Sequence, residues 1–162
     1  MKKNTKFITE GAVIAALYVI LTLIAKVFGM DSQVIQVRIS EALYALAIFM
    51  PSAVLGLFVG CILSNILVGG ILVDVIFGSI ATLIGAFFTY RMRKTPYLAL
   101  IPPILSNAII IPPILKFGYG FEGSVWFFVL TVSIGEIISA GILGAMLYQA
   151  LKKTKIFKNA DQ

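Results

Sequence analysis

The chain contains no histidine and a single cysteine, and only 12% of its 162 residues are charged. Without histidine there is no Ser-His-Asp triad, no imidazole zinc site and no histidine proton shuttle. One cysteine, Cys61, builds neither a disulfide framework nor a cysteine metal site within one chain, and its apolar surroundings make it a small buried hydrophobe. The G-x-x-x-x-G-K-[ST] phosphate loop is also missing, so the chain cannot drive a process by hydrolysing ATP itself. No catalytic residue, metal or cofactor is expected, and the chain does not read as an enzyme.

What is abundant is apolar. Hydrophobic residues make up 60% of the sequence, where a soluble domain carries roughly 45–50% apolar and about 25% charged residues. At about 20 residues per span, six membrane helices with short connections consume nearly the whole chain. The expected architecture is therefore all-α, a single integral membrane domain over 1–162, with helices at about 11–28, 37–50, 52–68, 71–90, 97–115 and 124–151. The apolar run at 11–28 exceeds the core of a signal peptide and further apolar segments follow it, which predicts a retained first helix. A polar break at 29–36, Pro51, the Gly69–Gly70 turn and a basic stretch at 91–96 separate the segments. The fifth helix carries Pro102–Pro103 and Pro112–Pro113, in LIPPIL and IIPPIL, and is expected to be broken at both.

Charge gives the orientation. With six spans, Lys2, Lys3, Lys6, Arg91, Arg93, Lys94, Lys152, Lys153, Lys155 and Lys158 fall on one side, and only Lys26, Arg38 and Lys116 on the other. Cytoplasmic flanks collect Lys and Arg, so both termini are expected in the cytoplasm. The net charge of +6 then reflects topology rather than nucleic-acid binding, since the basic residues are not interleaved with aromatics along a face.

Against this background, ionisable residues inside the spans stand out, because each costs about 2.5–3.5 kcal/mol near the bilayer centre. They are Arg38 and Glu41 on helix two, Asp74 on helix four and Glu136 on helix six. At a rise of about 1.5 Å per residue, Arg38, Glu41 and Asp74 lie within roughly 10 Å of the outer surface, and Glu136 and Asn107 near the middle. Three acids face one base, so at least one buried carboxylate is left for a proton or for a cationic or donor-rich ligand. Structural readings stand beside this one: Arg38 and Glu41 as an interfacial pair opening helix two, and Asp74 as a cap or snorkelling residue. The functional reading puts Asp74 and Glu136 in one outward-facing pocket, with Arg38 and Glu41 at its rim and Asn107 reading a polar edge from the broken helix.

Small residues also recur at helical spacing. Helix four presents Asp74, Gly78, Thr82, Gly85 and Thr89 on one face, and helix three Gly56, Gly60 and Ser64 with Asn65 beside them. On helix one, Gly11 and Ala15, with Ala12 and Ala16, form two small-x-x-x-small pairs. Such pairs permit close helix contact. They serve either a partner membrane subunit or this chain's own helices.

Several stretches resemble the substrate-binding S-components of energy-coupling factor (ECF) transporters, most closely the QueT family of queuosine-precursor transporters: GAVIAALYVILT at 11–22, QVRISEAL at 36–43, DVIFGSIATLIGA at 74–86, SNAIII at 106–111 and SIGEIISAGILG at 133–144. The Arg-Ile-Ser-Glu-Ala-Leu element is the most specific of these, and the doubled Pro-Pro pairs depart from the family pattern. The resemblance implies a six-helix S-component in a bacterial cell membrane that captures a 7-deazaguanine precursor, such as the 7-aminomethyl compound, or queuine. It also implies docking on a membrane-embedded T-component and two cytoplasmic ATPase subunits. An S-component for another vitamin, a proton-coupled carrier using Glu136 or Asp74, and a non-transporting scaffold are the alternatives.

Overall fold

A computed structural model describes residues 2–29 and 37–154, with the side chain of Lys2 left out. Residues 30–36 of the polar break at 29–36 and the basic residues Lys155 and Lys158 lie outside the described residues. Six helical rods follow one another: α1 (Lys2–Val27), α2 (Ile39–Phe49), α3 (Ser52–Leu67), α4 (Leu72–Arg91), α5 (Leu98–Gly118) and α6 (Val125–Lys152). By length and composition α1, α4, α5 and α6 suffice to cross a membrane, and α2 and α3 are shorter apolar helices. The helix count matches the sequence expectation.

The helix boundaries follow local chemistry. Met50 is extended (φ −144°, ψ 133°) because Pro51 disfavours helical backbone in the residue before it, and α2 stops there. Gly69 takes a left-handed φ of 81°, and the Gly70 N–H donates to the Asn65 carbonyl at 2.8 Å, closing the end of α3. Ser124 caps α6 by accepting from the Phe127 N–H at 3.2 Å. Helix α1 starts well before residue 11, since Lys2–Glu10 continue the same helix, with Lys6 and Glu10 3.7 Å apart one turn from each other.

The two proline pairs behave differently from the expected double break. Pro102 and Pro103 occupy the first positions of the α-helical part of α5, where the missing N–H groups would lack intrahelical acceptors anyway. Only Pro112–Pro113 disturbs the rod, which widens into a π turn over Ile114–Gly118. Asn107 therefore lies in an unbroken stretch, Ile101–Pro113.

Helices α1, α3, α4, α5 and α6 pack in that order, each against the next, and α2 touches all five of them. The short α2 runs through the middle, so Tyr44, Ala45 and Ala47 have no exposed surface. Helices α1 and α3 approach closely: a Cβ built on Gly56 would lie 2.7 Å from the Gly11 carbonyl oxygen, and one on Gly60 2.7 Å from the Tyr18 Cβ. Only glycine fits at these two points. Gly11 and Ala15 are thus taken up inside the chain, while Ala12 and Ala16 remain exposed.

The bundle is apolar outside and keeps its polar groups inside, among two apolar core clusters. Val13, Ile20, Leu63, Phe77, Ile109 and Leu130 are exposed, whereas Glu41, Asp74, Glu136, Asn65, Asn107 and Thr82 are buried. A bundle in water buries the first set and exposes the second. Lipid reverses the rule, because the outer face meets hydrocarbon and the costly polar groups turn toward the protein interior. The chain is a multi-pass membrane protein.

Candidate functional site

Two polar regions share the interior. The first is an open cavity of about 180 Å³ lined by Lys26, Arg38, Asn65, Asp74, Tyr119 and Phe121, among others. Asp74 stands in the first turn of α4, where the helix dipole favours a carboxylate, but its side chain caps no backbone N–H. Instead Asp74 Oδ2 accepts from the Tyr119 hydroxyl at 2.9 Å, and Oδ1 is buried with no partner. Gly78 leaves room for that arrangement, since a Cβ there would lie 2.9 Å from Asp74 Oδ1 and 3.3 Å from Asn65 Nδ2. The π turn after Pro113 leads directly into Tyr119, which stacks on Phe121 with ring centroids 5.5 Å apart and accepts from the Ile71 N–H at 3.3 Å. Burial and then the Asp74 carboxylate hold the Tyr119 phenol above its ordinary value. The phenol therefore stays a donor at physiological pH.

The second region lies among α2, α5 and α6. Glu41 is 1% exposed and accepts from the Tyr18 hydroxyl through Oε1, while its Oε2 has no partner. This departs from the expected rim position: α2 passes through the bundle centre, so Glu41 is carried inside. Arg38, which lines the cavity, precedes α2 in extended backbone (φ −96°, ψ 97°), and its charge acts on both Glu41 and Glu136. Glu136 has the Asn107 side chain beside it, feels the Glu41 carboxylate, and leaves Oε2 without a partner. A π segment, Ile137–Leu143, begins immediately after Glu136 and carries Ser139. Wide turns of this kind interrupt α-helices frequently at functional sites.

The structure brings Glu41, Asn107 and Glu136 together, places Asp74 in the cavity, and puts Arg38 in electrostatic reach of both regions. Sequence reasoning missed Tyr18, Tyr44, Tyr119 and Ser139, and assigned Lys26 only to topology. Tyr44 follows Glu41 by three residues, a spacing that helical periodicity offers. Nothing in the sequence pairs Tyr119 with Asp74, because 45 residues separate them. If all are ionised, Glu41, Asp74 and Glu136 supply three negative charges against two positive ones from Arg38 and Lys26. The Lys26 ammonium also donates to the Val68 carbonyl. One negative charge remains, which suits a monocationic ligand or one proton.

A binding interior within a lipid-facing bundle is what a transport protein requires, and comparison with known families agrees: the family model described as QueT transporter matches residues 8–153. The chain belongs to the QueT transporter family. Membership covers every helix and both polar regions, and it identifies a membrane transporter with a small-molecule substrate. No curated protein and no solved structure matches the chain.

Proposed function

We propose that this QueT-family chain is the substrate-capturing S-component of an ECF-type importer in the bacterial cell membrane, and that its ligand is a 7-deazaguanine precursor of queuosine. The observation that carries the reading is the set of unpartnered, buried carboxylate oxygens, Glu41 Oε2, Asp74 Oδ1 and Glu136 Oε2. Leaving them unmatched costs more than the fold alone explains. A deazaguanine presents a ring N–H beside an amino group, a donor pair that one carboxylate accepts in bidentate fashion, and an aminomethyl arm adds a cation for a second acid. The Tyr119–Phe121 stack in the cavity wall offers an aromatic face to a planar heterocycle.

Energy comes from partners in this reading, a T-component and two ATPases, since the chain carries no phosphate loop. Their docking surface includes exposed Ala12 and Ala16 on α1, beside an apolar groove of about 270 Å³ that Phe7, Leu55 and Val59 help to line. Gly11 and Ala15 line the same groove at its junction with α3. Replacing Ala12 and Ala16 by Leu is expected to reduce complex formation and uptake while ligand binding to the isolated chain persists. Both termini are cytoplasmic in this arrangement, so terminal tags resist protease added to intact cells.

Calorimetry of the detergent-purified chain against 7-aminomethyl-7-deazaguanine, the cyano analogue, queuine, guanine and riboflavin tests the proposal. Binding of a deazaguanine ahead of guanine and riboflavin supports it, and riboflavin binding alone transfers the chain to another vitamin. Uptake that needs no ATPase and follows a proton gradient replaces it with a proton-coupled carrier; absence of any small-molecule binding leaves a scaffold.

A further inference from the structure

Two buried hydroxyls in the inner region make no hydrogen bond within the fold. Buried Ser64, Ser79, Thr82, Thr89, Ser106 and Thr131 each donate to a backbone carbonyl three or four residues back on their own helix. Ser139, with no exposed surface, makes no such bond, and its Oγ has no partner. The π segment that carries it departs from the regular turn over which the other six bond. The second hydroxyl is that of Tyr44, also fully buried and without a partner. It stands in the fields of both Glu41 and Glu136, with the Thr82 side chain close by.

A phenol near two carboxylates ordinarily donates to one of them, as Tyr18 does to Glu41. Tyr44 lies close enough to Glu41 to act on its carboxylate, yet its hydroxyl, held in the packed centre of α2, completes no hydrogen bond there. Two unpartnered O–H donors thus accompany the unpartnered carboxylates, Tyr44 beside Glu41 and Glu136, and Ser139 three residues after Glu136 on α6, and buried polar atoms in this state call for a bound partner. The carboxylates match the N–H donors of a ligand. The hydroxyls match an acceptor, and on a 2-amino-4-oxo heteroaromatic ring the acceptor adjoining the donor edge is the oxo group.

We propose that Tyr44 and Ser139 determine specificity by donating hydrogen bonds to the ring oxo group of the ligand, so that the site distinguishes an oxo ring from its amino counterpart. This rests on the deazaguanine reading above and adds an orientation to it: the pyrimidinone edge points inward to α2 and α6, and the seven-substituent points toward Asp74. An amino group in place of the oxo presents a donor where a donor already waits, and it also turns the adjoining ring N–H into an acceptor facing the carboxylate, so the change of preference on altering Tyr44 or Ser139 is what reports the hydroxyls.

The test is calorimetric, on the full chain in detergent, with 7-aminomethyl-7-deazaguanine and with the analogue whose ring oxo is replaced by an amino group. The unaltered chain is expected to prefer the oxo compound. In Tyr44→Phe and in Ser139→Ala, affinity for the oxo compound should fall roughly three- to tenfold while that for the amino analogue holds or rises, the range expected for one net hydrogen bond. The oxo-to-amino preference then shrinks in both variants. Equal losses for both compounds, or an unchanged preference, overturn the assignment. Failure of the unaltered chain to bind either compound removes the deazaguanine reading and this inference with it. Should one variant fail to fold, judged by its melting temperature in detergent, the other decides the question by the same ratio.

Discussion

Asp74 and Glu136 are both carboxylates with 6% of their surface exposed, yet the protein treats them differently. Asp74 sits at the start of a helix, with a tyrosine on one oxygen and a cavity beside it. Glu136 lies within a continuous helical rod, in the field of a second carboxylate and of Arg38, with an asparagine beside it. The fold itself supports the Asp74 charge through the helix dipole and the Tyr119 hydroxyl. At Glu136 the Arg38 charge and Asn107 are set against the Glu41 carboxylate, and Oε2 is left without a partner. The difference teaches that equal burial does not mean equal dependence on a ligand: the outer acid is partly satisfied when empty, and the inner acid waits.

This contrast is open to attack from its strongest consequence downward. Glu136→Gln keeps the shape and exchanges a charged acceptor for a neutral amide. Since a hydrogen bond to a charged group contributes about 1.5–3 kcal/mol, deazaguanine affinity should fall roughly ten- to a hundredfold by calorimetry. Thermal stability should hold or rise in the same variant, because an incompletely compensated buried charge is removed. A large drop in melting temperature would show that the inner acid is structural after all.

Asp74→Asn is the matching change in the outer cavity. Part of the Asp74 charge is already compensated, so the expected loss of affinity is nearer tenfold, about 1.4 kcal/mol. Here stability should decline, since the amide is a weaker acceptor for Tyr119 and a poorer match for the helix start. If Glu136→Gln and Asp74→Asn, each folded normally, both keep full affinity for every deazaguanine tested, the two acids do not serve one ligand.

A smaller effect is expected from Tyr119→Phe, which removes the donor to Asp74 Oδ2 and retains the ring against Phe121. Losing one hydrogen bond should lower affinity by roughly three- to tenfold. An increase would mean that Tyr119 competes with the ligand for Asp74.

The smallest effect concerns pH. Burial first, and the Asp74 charge second, raise the Tyr119 phenol above its ordinary value, which lies near 10 for a free tyrosine. A raised value favours the protonated form in the folded state. The stabilising contribution is therefore fully present below pH about 10 and is lost only as pH rises through the higher folded-state value. Between pH 6 and 9 the difference in melting temperature between the unaltered chain and Tyr119→Phe should stay constant; a change across that interval would mean the phenol titrates lower.

Much of this architecture was legible in the residues alone. Apolar content, segment lengths and breakers such as Pro51 and Gly69 specify six helices, because in lipid each segment must satisfy its own backbone. The stripe Asp74, Gly78, Thr82, Gly85 and Thr89 is buried along α4 as its spacing indicates, for helical periodicity is a local property. What periodicity does not contain is which faces meet. Glu41 lies at the bundle centre instead of the rim because five other helices surround α2, and Gly11 and Ala15 lie against α3 because Gly56 and Gly60 leave space for them. Proline identity is local as well, but its consequence depends on position: Pro102–Pro103 opens a helix and Pro112–Pro113 deforms one. Tyr119 reaches Asp74 across 45 residues, and Tyr44 comes near Glu136 through packing between separate helices. Sequence by itself determined which groups are too costly to leave unmatched in a membrane; tertiary structure alone decided which of them face one another, since that depends on long-range packing that no local pattern encodes.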